Sequence, residues 1–309
     1  MARKNKSSKI VEIVIGFIII IIMSLFGIQY EEIEEFFYPT GSVINKVTAE
    51  ESENVLLEGE EILQIHFFDV GQADSTLLIS NNKTMLIDAG NNEDGTLIVN
   101  NIKRLGIQKL DYVIGTHPHE DHIGGLDDVI SNFDIGTIYM PKIQTNTKTF
   151  EDVLDVIERK GLKITSPKQG DIFNIGNAKC EIMLAGTGLK EEQENLNLSS
   201  IVIRTTYKEQ SYLFMGDSEE ENENSRNWMQ TNILKVGHHG SSTSSSKKFL
   251  NQVLPQISIV SVGKDNDYGH PHDEVIDRLE KIGTLIYRTD EKGNILIESD
   301  GINNKISFY

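Results

Sequence analysis

The chain has 309 residues, 25% of them charged and 38% hydrophobic, enough for one large or two small globular domains with a substantial core. Its formal charge of −18 opposes broad contact with nucleic acid unless charges are sorted locally or metal ions supply positive charge. Cys180 is the single cysteine, which excludes an intrachain disulfide and a cysteine-rich zinc site, and its strand-like setting NAKCEIML predicts a buried apolar thiol.

Residues 1–9 carry Arg3, Lys4, Lys6 and Lys9 and form a short basic head. Residues 10–28, IVEIVIGFIIIIIMSLFGI, are apolar apart from Glu12, and at about 1.5 Å per helical residue they nearly cross a bilayer core. Basic residues before the run and acids after it place the head in the cytoplasm and everything beyond Ile28 outside. The following QYEEIEEFFYP offers no small-residue cleavage site, so an uncleaved signal anchor is expected. Residues 29–61 hold ten acids against one lysine and read as a solvated stalk.

From Ile62 short apolar strands begin: ILQIHFF, STLLIS and KTMLID, the last two joined by the turn pair Asn81-Asn82. Ile98, Ile102 and Leu105 mark a helical face that Gly106 stops, and LDYVIG is a buried strand. A short helix near 125–131, a strand TIYM, a helix near 149–160 ended by Gly161 and strands around Gly176-Asn177 follow. Then come IVIRTTY and SYLFMGD, a helix near 219–229, the strand NILKVG, a helix near 246–253, the strand ISIVSVG and a helix near 272–282. TLIYRT, the turn Gly293-Asn294 and ILIES close the chain. Hairpins first and alternating strands and helices later predict two mixed sheets face to face with helices outside.

The strand LDYVIG runs straight into THPHEDHIGG. Leaving a buried strand at Gly115, the chain can place His117 and His119 on one side of an extended loop. Asp121 and His122 precede the turn Gly124-Gly125, so their side chains can aim at a neighbouring position. Imidazoles and carboxylates so arranged suit two divalent ions in one pocket. The bland alternative, a solvated polar loop, explains poorly a buried Asp121 among histidines. Further ligands are expected at strand ends, where a sheet can aim them. Asp217 ends YLFMGD and can bridge two ions, and His238-His239 follow ILKVG. His238, first off the strand, is the expected ligand, with His239 beside it. His66 reads as a hydrogen-bonded core residue and His272 as a surface one, while His270 can face the site as a phosphate contact or proton donor.

THPHEDHIGG, FMGD and VGHHGSS resemble the successive metal motifs of the metallo-β-lactamase superfamily. IHFFDVGQADSTLLI, LIDAG, LNLSSIVIRTTYKEQSYLFMGD, GKDNDYGHP and IYRTDEKGNILI are similar to one branch of it, which includes the hydrolase domain of ComEC-type competence channels and extracellular phosphodiesterases such as phosphorylcholine esterases. The likeness covers 62–309 and implies an αββα sandwich there. Most superfamily members supply another metal-binding histidine before the second aspartate. No histidine occurs from 123 to 237 here, and Asn197 stands near that place, as it does in the competence-type branch. An amide oxygen is a weaker ligand than imidazole and favours a harder ion, manganese over zinc.

Competence channels carry this domain beside many transmembrane helices, whereas the single apolar run here predicts a stand-alone hydrolase tethered outside the membrane; the resemblance implies two divalent ions, zinc or manganese. His117, His119 and Asp217, with Asn197, would hold the first. Asp121, His122, His238 and bridging Asp217 would hold the second. Ions about 3.5–4 Å apart lower the pKa of a shared water. Asp88 would orient the histidine loop, Asp69 and Asp74 would shape the pocket floor, and Ser241 and His270 would grip the substrate, a phosphodiester of DNA or of the cell envelope. The rival reading is a silent metal-binding or assembly protein of the same fold.

Overall fold

The computed structural model describes residues 61–309. The expected head, anchor and all but the last residue of the stalk lie outside the described residues, and among these no helix is long and apolar enough to cross a membrane. Strands are numbered in chain order. β1 (Leu63–Phe67), β2 (Thr76–Ser80) and β3 (Lys83–Ile87) form the expected antiparallel meander, with the turn at Asn81-Asn82 in the left-handed region. β4 (Lys109–Ile114), β5 (Asp134–Tyr139) and β6 (Ile164–Thr165) continue the sheet in parallel.

The second sheet is built from β7 (Ile172–Ile175), β8 (Ala178–Leu184), β9 (Val202–Tyr207), β10 (Gln210–Phe214), β11 (Ile233–Lys235), β12 (Ile257–Val260) and β13 (Leu285–Arg288). β14 (Ile295–Ser299) and β15 (Asn304–Phe308) return to the first sheet, whose order is β15-β14-β1-β2-β3-β4-β5-β6; the second runs β13-β12-β11-β10-β9-β8-β7.

Period-2 alternation divides the core into three layers. Ile65, Leu78, Ile203, Phe214, Ile257 and Ile297 meet between the sheets. On the other side of the same strands, Leu77, Leu86 and Val113 pack on the helices Gly95–Arg104, Leu126–Asn132 and Lys148–Arg159 through Ile98, Leu126 and Val153. Leu213, Leu234 and Val260 pack on Lys247–Val253 and Asp273–Lys281 through Phe249, Leu250 and Leu279. Two mixed sheets flanked by helices are thus the observed architecture. Cys180 lies between the sheets, where burial pushes its thiol up to about 12. His66 is buried with Nδ1 2.9 Å from the Tyr309 hydroxyl.

The helix expected near 219–229 is only Glu220–Asn224. The chain stops being helical where Trp228 turns inward, its ring nitrogen donating to Glu223 O and its backbone N–H to Gln252 Oε1. β15 has no counterpart in the sequence reading, since NKISF alternates too weakly to stand out, and β14 beside it supplies the pairing.

Three loops close the end of the first sheet. Asp74 N–H donates to Asp121 O, Ala89 N–H to His122 O, Gly90 N–H to Asp74 O and Gly124 N–H to Gly90 O, at 2.7–3.0 Å. At Gly124 a Cβ would lie 2.2 Å from the carbonyl carbon of Asn91 and from Asn92 N, so only glycine permits this seam. Gly124→Ala is expected to destabilise the protein by about 1–3 kcal/mol through overpacking, read as a lower urea midpoint with an unchanged slope.

Candidate metal centre

β3, β4, β10, β11 and β12 each run parallel to a neighbour, so their carboxyl ends deliver loops to one edge of the sandwich, where such sheets place sites. Asp88 leaves β3, the 117–122 segment leaves β4, Asp217 leaves β10, the histidine pair leaves β11 and His270 lies beyond β12.

One donor atom from each of Asp121, His122, Asp217 and His239 lies within 4.8 Å of the other three. His122 Nε2 stands 3.1 Å from Asp217 Oδ1 and 3.8 Å from Asp121 Oδ2, and His239 Nε2 stands 3.2 Å from Asp121 Oδ2 and 3.7 Å from Asp217 Oδ1. Despite these approaches, His122 Nε2, His239 Nε2 and Asp217 Oδ1 are buried without an aligned hydrogen bond. On the other side of Asp217, His117 Nε2 lies 4.0 Å and His238 Nε2 3.6 Å from Oδ2, and His117 Nε2 is 2.9 Å from His119 Nδ1. Asp217 therefore turns one oxygen toward each histidine group.

Partners behind the rings set their orientation. Asp88, with φ 61°, accepts from Thr116 N–H (2.8 Å) and Thr116 Oγ1 (2.7 Å), and its Oδ2 sits 2.8 Å from His122 Nδ1. An ionised Asp88 can only accept, so His122 Nδ1 carries the proton and Nε2 faces Asp217. His239 Nδ1 likewise donates to Ser261 O at 3.0 Å, which turns Nε2 to the cluster.

Charge follows from burial and neighbours. Burial opposes protonating His122, yet Asp217, Asp121 and Asp88 outweigh it and hold its pKa well above the usual range. Burial raises Asp217 and Asp121, but His122 and His239 outweigh it and hold both carboxyls low. His117 is driven far down by burial and by His122. His270 is lowered to about 4 by burial and by His239 and His238.

The structure exchanges the expected roles of the histidine pair. His239, read from sequence as the neighbour, is the one in the four-residue cluster, whereas His238 is at its rim with its side chain 21% exposed. The cause is two consecutive left-handed residues, His238 (φ 51°, ψ 46°) and His239 (φ 51°, ψ 21°), which coil the chain so that the second ring swings under β12. His238 Nδ1 instead meets Thr243 Oγ1 (3.0 Å) and Glu219 Oε1 (3.5 Å).

The other expected residues are distributed around this centre. Asn197 is buried, its Nδ2 donating to Glu219 at 3.0 Å and its Oδ1 without a partner. Ser241 is also buried, its hydroxyl 3.3 Å from Thr243 Oγ1. His272 Nδ1 accepts from Ser242 N–H. Asp69 lines a cavity of about 710 Å³ with Glu93, Asp94, Glu120, Asp121 and Tyr268. Asp74 lies beneath the centre, 3.4 Å from His239 Nδ1.

Lys235 and Glu219 also belong to the site, though neither lies in a motif that marks it in the sequence. Lys235 is 3% exposed, and its Nζ donates to Asp74 Oδ2 (2.8 Å) and Val236 O (3.1 Å). A lysine in the apolar strand ILKV was its available signal. Glu219 binds Asn195, Asn197, Thr243 and His238 together; burial raises its pKa, but these contacts prevail and hold it at about 2.

Residues 68–264 match the pattern of the metallo-beta-lactamase superfamily. The chain is 31% identical over 194 residues to ComE operon protein 3 of Bacillus subtilis (strain 168), covering 62% of this chain and 25% of that protein. It is 28% identical over 246 residues to Recombination protein 2 of Haemophilus influenzae, covering 76% and 28% respectively. The chain thus spans about a quarter of the length of these curated relatives. Among solved structures, the metallo-beta-lactamase fold protein YhfI from Bacillus subtilis aligns with a TM-score of 0.49 and 12% identity, over 78% of this chain and 100% of that one.

Removing one member of a buried ion pair strands the other. Lys235→Met is expected to cost about 3–5 kcal/mol, and the double variant Lys235→Met, Asp74→Asn to recover most of it. Urea unfolding of the two proteins checks this.

Proposed function

The chain belongs to the metallo-β-lactamase superfamily, and from that premise we propose that it is a metal-dependent hydrolase that cleaves a small phosphodiester of the cell envelope. The observation that carries the reading is the convergence of Asp121, His122, Asp217 and His239, with three of their donor atoms buried and unpartnered. Donors left without a partner away from water are costly unless something satisfies them, and a mixed imidazole and carboxylate set suits zinc or manganese.

Asp121, His122, His239 and Asp217 Oδ1 would hold one ion, and His117, His119 and Asp217 Oδ2 would hold a second, with His238 and Asn197 beside it. Such ions, when bound, polarise a phosphoryl oxygen and lower the pKa of water. Asp88 and Ser261 O keep two ring nitrogens turned to the centre, and His270 at the rim contacts the substrate.

The cavity beside Asp121 is walled by Asp69, Glu93, Asp94 and Glu120. Carboxylates so placed repel the successive phosphates of DNA and tolerate a short ester, such as a choline- or polyol-phosphate, with one charge to place at the ions. The apolar run 10–28 would tether the domain 62–309 to the outer face of the membrane.

With manganese or zinc, the full-length chain is expected to hydrolyse bis(p-nitrophenyl) phosphate and to leave single-stranded DNA largely intact. Asp121→Ala is expected to lower metal content and to reduce turnover by about 100-fold or more. A wild-type protein that binds no metal after supplementation, with activity indifferent to Asp121, would sink the hydrolase and favour a silent assembly role.

The raised pKa of His122 also links stability to pH. Its contribution is fully present below the unfolded value of about 6.5 and is lost as pH rises through the folded value. His239 is raised for the same reason, by Asp217 and Asp74 against burial. In chelator the melting temperature should therefore fall as pH is raised above about 6.5. Added zinc should remove that fall, because an ion replaces the proton between His122 and Asp217.

A further inference from the structure

We propose that Gln72 is a positioning residue that fixes His270 as its Nε2–H tautomer, so that His270 meets the substrate as a hydrogen-bond donor and not as a base. The inference rests on the reading of His270 as a substrate contact and adds the chemistry of that contact.

The tautomer follows from obligations that begin at the backbone. Gly263 N–H can only donate, and its acceptor, 3.1 Å away, is Gln72 Oε1. This settles which end of the amide is oxygen, an assignment otherwise made by inspection of the network. The other end, Nε2, can only donate, and it lies 3.2 Å from His270 Nδ1. Nδ1 must then present a lone pair, so the ring is neutral and its proton sits on Nε2. A protonated imidazole would set N–H against N–H here.

Both ends of this link are held. A Cβ on Gly263 would lie 2.5 Å from Gln72 N, so the loop after β1 rests directly on the loop after β12. Asn266 clamps the His270 backbone, with Nδ2 donating to His270 O (2.6 Å) and Oδ1 accepting from His270 N–H (3.0 Å). The ring lies nearly parallel to that of His239, with centroids 6.4 Å apart at 17°, and 5.7 Å from His238. Nε2 has no hydrogen-bond partner among the described residues. A donor beside the histidine cluster suits a phosphoryl or leaving-group oxygen. Gln72 thereby ties the first sheet to the second at the rim of the site, which gives the glutamine of DVGQAD a function that its position in the sequence does not disclose.

The test is the nitrogen NMR spectrum of the zinc-loaded, full-length chain labelled with 15N-histidine, with the His270 signals assigned by their loss in His270→Gln. The wild type should show Nε2 protonated and Nδ1 bare. Gln72→Glu keeps an acceptor for Gly263 N–H but turns the second atom from donor to acceptor, so the proton should move to Nδ1. Turnover of bis(p-nitrophenyl) phosphate should fall roughly 10- to 100-fold in both Gln72→Glu and His270→Gln, the scale of one hydrogen bond to a charged group. Gln72→Leu should give mixed tautomers and an intermediate rate. A wild type protonated at Nδ1, or a Gln72→Glu protein that keeps Nε2–H, overturns the inference, as does full activity in His270→Gln. A wild type without hydrolytic activity strikes the hydrolase reading instead, and the tautomer measurement stands apart from it.

Discussion

The rest of the structure is organised around a deficit of buried positive charge. Asp74, Asp88 and Asp217 are buried and Asp121 is partly so, its side chain 30% exposed, at the meeting of loops from both sheets. Among the described residues, the lysine that reaches them is Lys235, and it is committed to Asp74. Carboxylates withdrawn from water must be met by cations or by many donors. Thr116 and His122 satisfy Asp88. Asp217 and Asp121 are left to histidines, which can supply charge only by taking a proton. A divalent ion resolves the deficit without one, which is why donor geometry and charge point to the same conclusion.

Holding such a cluster requires a scaffold that does not yield. The parallel strands end together, and the loops they deliver are stitched by backbone hydrogen bonds among residues 74, 89–90 and 121–124. The close approach at Gly124 shows how little slack remains. The three apolar layers beneath fix those strand ends, so the precision of the site is inherited from packing far from it.

Much of this was legible in the sequence because it is local. The meander from β1 to β3, the amphipathic helices and the motif from His117 to His122 each declare themselves within a dozen residues by period or spacing. What was not legible depends on contacts between distant segments. The order of His238 and His239 turns on two left-handed residues and on Ser261 O, some twenty positions away. Glu219 gathers groups from two other loops, and β15 is a strand only because β14 stands next to it. Pattern reveals which residues can do chemistry; the fold decides which ring faces inward.

A simple rule sorts the histidines once the fold is known. An imidazole backed by an acceptor gives that acceptor its N–H, so that an ion displacing the proton on the other nitrogen finds a lone pair on the far side. His122 on Asp88 and His239 on Ser261 O are of this kind, and both are suited to a metal ion. An imidazole backed by a donor must do the reverse. His270 on the Gln72 amide is of this kind, and its outward N–H would repel a cation and attract an anion. Adjacent rings of identical chemistry are thus given opposite polarity by what stands behind them, which under the proposed function would leave one side of the site for ions and another for substrate oxygen.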